Sequence, residues 1–370
     1  MIVGVPSEIK ESEYRVGMAP AGVHALVSAG HRVLVQAGAG AGTGIRSEDY
    51  QEAGAGIVDA AAELFESADM IVKVKEPQPE EWPLLREGQI VFTYFHFAAD
   101  RDLTLAMMKR GVVCVAYETV QLPDGSLPLL MPMSEVAGRM AVHEGAKYLE
   151  RPMLGRGILL AGAPGVAPAN VVIVGGGLVG SNAAKMAAGL GASVIVLDID
   201  LNRLRHLDDI MPPNVTALMS NPYNIRDAIA GADLLIGAAL IRGARAPKLV
   251  TEEMVRSMKP GSVIIDVAID QGGCIATSRP TTHKDPAYVL HGVVHYCVTN
   301  MPGAVPGTST YALTNATQPY VVKLAQGFPQ AILADPVLRT GLNIVRGKVV
   351  FPSVAEAAGV PITPLEEALR

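Results

Sequence analysis

A glycine-rich segment near the middle of the chain has the residue types and spacing of a phosphate-binding turn. Gly175, Gly177 and Gly180 fit the pattern G-x-G-x-x-G, which follows an apolar run at 171–174 and precedes good helix formers. In this pattern the first glycine permits a tight turn, the second lets the backbone approach a pyrophosphate, and the third lets the helix pack closely on the strand. The N-terminus of that helix would offer free N–H groups to the phosphates.

A second apolar run and an acidic residue extend this pattern. Residues 193–197 are followed by Asp198, whose carboxylate would accept hydrogen bonds from ribose hydroxyls. A lone glycine motif in a chain with 38 Gly is weak evidence, whereas strand, turn, helix, strand and acid in this order are specific. The sequence therefore predicts an NAD-binding unit, in which Asp198 would repel the 2′-phosphate of NADP. Arg203 supports the alternative, since its charge could pair with that phosphate.

Further polar side chains follow other predicted strands. Arg15, Lys75, His96 and Glu118 follow the first, third, fourth and fifth strands of the N-terminal part, and Asp270 follows a strand of the second part. Ligands of open α/β sheets bind beyond the carboxyl ends of the strands. If the two sheets face each other, these groups are expected to converge on the nicotinamide.

Each of these residues also has a purely structural explanation. Arg15 could be a solvated loop charge, and Lys75 could be the exposed end of a strand. His96 lies between two phenylalanines, where a hydrogen-bonded core histidine is the default interpretation. Asp270 could simply cap the turn into Gln271, Gly272 and Gly273.

The elements that must position these residues alternate between short apolar runs and helical stretches, which predicts βαβ units. Strands are expected at 2–5, 32–36, 70–74, 89–94, 112–116, 171–174, 193–197, 215–219, 233–237, 262–267 and 293–298. Helices are expected at 21–29, 47–53, 60–67, 102–110 and 308–326, with a linking helix near 130–150 that has Ser134 as its N-cap. A hairpin is expected at 343–350, turning at Arg346 and Gly347.

The predicted fold class is α/β, with two Rossmann-like, doubly wound parallel-sheet domains that flank a cleft and are joined by long helices. A discontinuous substrate and catalytic domain is expected over 1–128 and 305–370. The NAD-binding Rossmann domain is expected over 129–304.

Composition limits the class of protein. The 370 residues are 49% hydrophobic with a formal net charge of -6, which argues against nucleic-acid partners and membrane surfaces. The three cysteines are far apart in apolar settings, as expected for a reducing cytosol. The first residues have their charge after the apolar run, unlike a signal peptide, so a cytoplasmic protein is expected. The histidines at 291 and 295 lie on a predicted strand and indicate no metal site.

Long ordered segments resemble the bacterial L-alanine dehydrogenases, in the family that they share with transhydrogenase alpha subunits. They are PSEIK at 6–10, VKVKEP at 72–77, TYFHFAAD at 93–100, PMSEVAGRMA at 132–141, PGVAPANVVIVGGGLVG at 164–180, IDVAIDQGGC at 265–274 and HGVVHYCVTNMPGAVPGTSTYALTNAT at 291–317. The resemblance implies reversible oxidative deamination of L-alanine by NAD and water to pyruvate and ammonium. It also implies a homohexamer.

The resemblance implies a role for each candidate residue. Arg15 would hold the substrate carboxylate, and Lys75 would polarise the carbonyl oxygen of pyruvate. His96 would transfer protons, and Asp270 would orient or deprotonate the attacking water. Residues that match the NAD contacts of the family are Ser134, Leu178, Val179, Asp198, Arg203, Ser220, Ala239, Leu240, Val267, Ala268, Ile269, Asp270, Arg279, Val298, Thr299, Asn300 and Met301.

The chain departs from the family pattern at two places. Some members bind a divalent metal through Glu and His at the positions of Lys323 and Gly327, which cannot ligate it, so no metal is expected. Arg242 lies in a loop that is usually more apolar. The alternative function is a nucleotide-binding subunit of a membrane proton-translocating transhydrogenase, which is disfavoured because Arg15, Lys75, His96 and Asp270 occur together.

Overall fold

Short β-branched runs alternate with helices in the computed structural model, which describes residues 1–239 and 246–369. The strands are β1 (Ile2–Val5), β2 (Arg32–Gln36), β3 (Gly56–Val58), β4 (Met70–Val72), β5 (Ile90–Thr93), β6 (Val113–Ala116), β7 (Asn170–Val174), β8 (Ser193–Asp198), β9 (Val215–Met219), β10 (Leu234–Gly237), β11 (Val263–Asp266), β12 (Ala287–Leu290), β13 (Val293–Tyr296), β14 (Leu342–Val345) and β15 (Lys348–Val349).

The α-helices include a short one at almost every crossover between parallel strands. They are α1 (Pro20–Ser28), α2 (Ser47–Glu52), α3 (Ala61–Ser67), α4 (Arg101–Arg110), α5 (Met131–Tyr148), α6 (Leu178–Gly189), α7 (Leu201–Ile210), α8 (Pro222–Ala230), α9 (Glu252–Arg256), α10 (Pro306–Leu324), α11 (Gln330–Ala334), α12 (Pro336–Thr340), α13 (Pro352–Ala358) and α14 (Leu365–Ala368). Among the described residues, no helix has the length and apolar character needed to cross a membrane.

The chain divides into two compact units. Unit one contains Met1–Met133 and Val305–Arg370, and unit two contains Ser134–Ala304. Each unit has its own sheet and its own buried apolar clusters. The predicted α/β class is therefore confirmed.

Unit one is built on an eight-stranded sheet in the order β15-β14-β6-β5-β4-β1-β2-β3. The six neighbouring strands β6, β5, β4, β1, β2 and β3 are parallel. At the β6 edge, β14 pairs antiparallel with β6, and β15 pairs antiparallel with β14. Both faces carry apolar clusters, because helices cover a parallel sheet on its two sides. The carboxyl ends of β1, β4, β5 and β6 lie at the same edge, so the residues that follow these four strands are brought close together.

Unit two has a seven-stranded sheet in the order β12-β13-β11-β10-β7-β8-β9, and only β12 is antiparallel to its neighbour. The chain runs outward from β7 to β9 and then continues on the other side of β7 with β10. This reversal makes the carboxyl end of β7 a topological switch point, where open α/β sheets bind ligands.

Two details of the predicted secondary structure are wrong. Ser134 lies inside α5, which begins earlier, at Met131, with Pro132 in its first turn, where a missing N–H costs nothing. The expected strand at 293–298 is present as β13, but His291, predicted on the same strand as His295, lies with Gly292 at the turn between β12 and β13, both with positive φ. The predicted hairpin at Arg346 and Gly347 is confirmed, with φ of 47° and 82° as its tight turn requires.

Candidate active site

The glycine turn of unit two connects β7 to α6. Gly175 has a φ of 103°, and a Cβ atom on Gly180 would lie 1.8 Å from the Gly175 carbonyl oxygen, so the fold itself requires both glycines. Gly177 differs, because a Cβ atom there would meet no atom within 4 Å. The open space at this N-cap of α6 fits a group that approaches the backbone, such as the pyrophosphate of NAD.

Asp198 ends β8 beside this turn. Its Oδ2 accepts a hydrogen bond from the Gly176 N–H at 2.7 Å, and its Oδ1 accepts one from the Asp200 N–H at 2.9 Å. These two bonds fix the carboxylate beside the glycine turn. Arg203 lies in the first turn of α7 and is exposed.

Most of the remaining predicted NAD contacts of unit two lie near the carboxyl ends of its strands or in the helices that follow them, whereas Ser134 lies on α5 and Arg279 between β11 and β12. Leu178 and Val179 form the first turn of α6, and a Cβ atom on Gly138 of α5 would lie 2.2 Å from the Val179 carbonyl oxygen. Ser134 is one turn before Gly138 on α5. The N–H of Ser220, after β9, donates to the Asp198 carbonyl at 2.9 Å.

A 3₁₀ turn at Val267–Gln271 follows β11 directly and contains Val267, Ala268, Ile269 and Asp270. The N-cap of this turn is Asp266, whose buried carboxylate accepts hydrogen bonds from the N–H groups of Ala268 and Ile275, each at 3.2 Å. Burial raises the pKa of Asp266. Asp270 lies within the same turn and is exposed.

The last predicted contacts of unit two follow β10 and β13. Ala239 comes just after β10, and Val298, Thr299, Asn300 and Met301 follow β13, with Asn300 at a φ of 59°. The guanidinium of Arg279 stacks on the Tyr288 ring, 4.3 Å from its centroid. Leu240 and Arg242 lie outside the described residues.

A cavity of about 440 Å³ lies at the opposite edge of this sheet. Its lining includes Arg156, Asn170, Asp233 and Lys259, which precede β7, β10 and β11 or begin them. Because these positions are at the amino ends of the strands, the cavity is separate from the glycine turn.

In unit one, Arg15 is buried with a carboxylate partner. Its Nε and Nη2 donate to Oε1 and Oε2 of Glu13 at 2.6 Å and 2.5 Å, and its Nη1 lies 2.9 Å from the Met133 sulfur. Only 2% of the Arg15 side chain is exposed, so it is not a solvated loop charge. Burial alone would raise the pKa of Glu13, but the hydrogen bonds and charge of Arg15 and the charge of Lys75 lower it to about 2.

Lys75 comes three residues after β4 and is partly buried. Its carbonyl accepts a hydrogen bond from the Thr93 hydroxyl at 2.9 Å, which holds its backbone against β5. Burial lowers the pKa of the Lys75 ammonium, the charge of Arg15 lowers it further, and the charge of Glu13 acts in the opposite direction. Lys75 therefore lies in the same electrostatic environment as the Glu13–Arg15 pair.

His96 follows β5 in a left-handed conformation, with a φ of 52°. Its N–H donates to Glu118 Oε1 at 2.6 Å, and the Phe95 N–H donates to the same oxygen at 3.1 Å. The imidazole stacks on Tyr94 at a centroid distance of 5.7 Å. His96 is exposed, so it is not a buried core histidine, and Glu118 stabilises the unusual backbone that presents it.

The sequence analysis did not predict a buried ion cluster that is formed in unit one by Lys73, Glu8 and Glu81. Lys73 is fully buried, with its Nζ 3.2 Å from Glu8 Oε2 and 2.8 Å from Glu81 Oε1. Glu8 Oε1 also accepts a hydrogen bond from the Val74 N–H at 2.6 Å, beside Lys75. The signal in the sequence is a lysine between valines in VKVKEP, because a lysine in such an apolar strand requires a buried counter-charge.

Lys323 and Gly327 are the positions at which some family members bind a metal ion. Lys323 forms an ion pair with Asp335 at 2.6 Å, at the C-terminal end of α10. In the part of the chain that the structure describes, no group of three or more His, Cys, Asp or Glu side chains is arranged to hold a metal ion.

Comparison with known proteins gives full-length matches. Residues 4–137 match the model of the alanine dehydrogenase/PNT N-terminal domain, and residues 141–352 match that of the C-terminal domain. An alanine dehydrogenase from Methanococcus maripaludis is 57% identical over 372 residues, covering 100% of both chains. A solved L-alanine dehydrogenase is similar with a TM-score of 0.95 and 52% identity over 96% of this chain and 99% of that one. A transhydrogenase from Sinorhizobium meliloti is less similar, with a TM-score of 0.82 and 26% identity over 95% and 100%.

Proposed function

The chain belongs to the alanine dehydrogenase/PNT family, and from this we propose that it catalyses the NAD-dependent, reversible oxidative deamination of L-alanine to pyruvate and ammonium. The observation that carries the proposal is the 57% identity to an alanine dehydrogenase over the whole of both chains. The less similar transhydrogenase, at 26% identity, gives much weaker support to the alternative of a transhydrogenase subunit.

The residues of unit two suit NAD. The N-terminus of α6 with the open position at Gly177 would hold the pyrophosphate, and Asp198 would accept hydrogen bonds from the ribose hydroxyls. When bound, NAD supplies the hydride acceptor, and the protein orients the reacting carbon and excludes water. The other predicted contacts of unit two are proposed to surround the cofactor.

In unit one, Arg15 is proposed to bind the substrate carboxylate. Glu13 occupies the edge of the guanidinium formed by Nε and Nη2. The carboxylate would therefore bind at the end formed by Nη1 and Nη2, where Nη1 lies 2.9 Å from the Met133 sulfur. Lys75, as an ammonium, would donate a hydrogen bond to the oxygen of pyruvate and make its carbonyl carbon more electrophilic.

Proton transfer is proposed for His96 and Asp270. In deamination, Asp270 would orient or deprotonate the water that attacks the imine carbon, and His96 would carry protons to and from the oxygen and nitrogen as the carbinolamine forms and collapses. The exposure of both side chains is consistent with contact with a substrate. Unit one is thus the proposed substrate and catalytic domain, unit two the NAD-binding domain, and the assembly a cytoplasmic homohexamer.

The test is the absorbance of NADH at 340 nm after the purified chain is mixed with NADH, pyruvate and ammonium. We expect the absorbance to fall only when all three are present, and NADH to form from NAD and L-alanine. Pyruvate consumption without ammonium would indicate a hydroxy-acid dehydrogenase. No turnover by the folded chain, together with NADH binding, would favour the transhydrogenase subunit.

A further inference from the structure

We propose that Glu13 is a positioning residue that serves as the shared counter-ion of Arg15 and Lys75, orienting the guanidinium towards the substrate carboxylate and keeping the lysine charged. The inference rests on the proposed function, because it assigns Arg15 and Lys75 to substrate binding. Glu13 itself would not contact the substrate.

The first step is the geometry of the Glu13–Arg15 pair. Two hydrogen bonds of 2.6 Å and 2.5 Å join the carboxylate to Nε and Nη2, and the Arg15 N–H donates to the same carboxylate at 3.1 Å. The Glu13 side chain is 0% exposed. A bidentate pair of this kind fixes the plane of the guanidinium, so the remaining end, with Nη1, is held in one direction.

The second step is charge balance. Arg15 and Lys75 are two cations in a largely buried environment, and each destabilises the other. Glu13 is the carboxylate that interacts favourably with both of them. Without it, the ammonium of Lys75 would face Arg15 with less compensation and would lose its proton at a lower pH.

The neighbouring charges do not replace Glu13. The other charged groups that act on Lys75 are Lys10 and Glu76, and these two form an ion pair with each other. Glu8 and Glu81 are committed to Lys73 at 3.2 Å and 2.8 Å. Glu13 is therefore the carboxylate whose removal should lower the pKa of Lys75 most.

Two variants of Glu13 separate its two effects. Glu13→Gln keeps the size of the side chain and one oxygen acceptor but removes the charge. Glu13→Asp keeps the charge but is too short to maintain both hydrogen bonds to Arg15. Glu81→Gln is the matched control, since it removes another buried carboxylate that pairs with a lysine but does not contact Arg15.

The readout is the binding of oxamate, an unreactive analogue of pyruvate, to the complex of each variant with NADH, measured from neutral to alkaline pH by NADH fluorescence. Because oxamate binds without ammonium, the deprotonation of ammonium at alkaline pH does not affect the measurement. In the parent, affinity should fall as Lys75 loses its proton, and Lys75→Met should abolish this fall. Glu13→Gln should move the fall to lower pH by about one unit, which is a tenfold loss of affinity at intermediate pH. Glu13→Asp should leave the pH of the fall unchanged and weaken binding about tenfold throughout.

Specific results would overturn the inference. An unshifted pH dependence in Glu13→Gln contradicts it, as does an equal shift in Glu81→Gln. If Glu13→Gln does not fold, Glu13→Asp decides alone, because parent-like affinity in that variant contradicts the orienting role. NADH oxidation by the parent with pyruvate and ammonium is measured in parallel. Its absence would refute the proposed function, whereas its presence with unaffected Glu13 variants would refute only this inference.

Discussion

Two carboxylates of the candidate site, those of Glu118 and Asp198, are held in place by hydrogen bonds from backbone N–H groups. Glu118 accepts the N–H groups of Phe95 and His96, and Asp198 accepts those of Gly176 and Asp200. A group that must act on a ligand is more effective when its position is fixed before the ligand binds. The following two predictions concern such residues.

The first prediction concerns cofactor choice. Asp198→Asn keeps an oxygen that can accept the Gly176 N–H but removes the charge that would repel a 2′-phosphate. We expect the ratio of kcat/KM for NAD to that for NADP to fall by about tenfold or more, equivalent to at least ~1.4 kcal/mol. Asp198→Ala also loses the two backbone bonds and should reduce activity with both cofactors. Equal efficiency with NAD and NADP in the parent would contradict the role of Asp198.

The second prediction concerns His96 and Asp270 as a coupled acid–base pair. Asp270→Asn should lower kcat by on the order of 10²–10⁴ with little change in NADH affinity. A double variant with His96→Ala should be little worse than the worse single variant, since residues that act in one step are not additive. Steady-state kinetics of the three variants measure this. Losses that multiply would show that the two residues act independently.

At the scale of elements, the glycine turn and strand β13 show how local geometry limits substitution. The turn requires Gly175 for its positive φ and Gly180 because a Cβ atom there would clash with the Gly175 carbonyl oxygen. A Cβ atom on Gly177 would meet no atom within 4 Å. In β13, the fully buried His295 bonds Thr277 through Nε2 at 2.8 Å and the Val293 carbonyl through Nδ1 at 3.0 Å. Burial disfavours the charged imidazolium and lowers the pKa of His295, so the ring is neutral near pH 7.

The third prediction distinguishes two glycines of one motif. Gly180→Ala would place a methyl group 1.8 Å from the Gly175 carbonyl oxygen and should lower the free energy of unfolding by about 1–3 kcal/mol or more. Gly177→Ala should leave thermal stability nearly unchanged but weaken NADH binding at least about tenfold, because the methyl group would occupy the approach of the pyrophosphate. Thermal unfolding and NADH titration test both. Parent-like NADH affinity in Gly177→Ala would place the pyrophosphate elsewhere.

The fourth prediction is the acid sensitivity of β13. Burial lowers the pKa of His295 to about 4, against an unfolded value of roughly 6.5. Because the unfolded state binds this proton more readily, the stability contribution is complete above about pH 6.5 and is lost as the pH falls towards 4, by on the order of 3 kcal/mol.

His295→Gln tests this contribution without a titratable group. The variant should be less stable at neutral pH, but its midpoint of urea unfolding should change less between pH 6.5 and 4 than that of the parent. His291→Gln is the control, since His291 is a partly exposed residue of the same hairpin. An equal pH dependence of parent and His295→Gln would assign the acid sensitivity to other groups.

At the scale of the whole molecule, the described chain has large apolar side chains exposed on its surface. Leu154, Leu159 and Val166 are 66%, 68% and 65% exposed within one segment of unit two. Neighbouring exposed apolar residues are typical of interaction surfaces.

The fifth prediction is the homohexamer. Light scattering after size-exclusion chromatography should give six times the chain mass, and Leu159→Asp should shift the distribution to smaller species if this segment is part of an interface. Exposed Tyr223→Asp, on α8, serves as the surface control. A monomeric parent at micromolar concentration would contradict the assembly.

The sequence alone was sufficient for features that depend on neighbouring residues. Gly175, Gly177, Gly180 and Asp198 are recognisable because a strand–turn–helix needs certain residues at fixed spacing. The α/β class follows from the alternation of short apolar runs and helices, and the hairpin at Arg346 and Gly347 from the backbone that a tight turn requires.

Tertiary structure decided which distant residues meet. The burial of Lys73 with Glu8 and Glu81, and the contact of Glu118 with His96, depend on the order of β1, β4, β5 and β6 in the sheet. Hydrophobic periodicity reports which face of a strand is buried but not which strand lies beside it. For the same reason the pairing of β14 with β6, and the capping of the 3₁₀ turn at Val267–Gln271 by Asp266, could be known only from the folded chain.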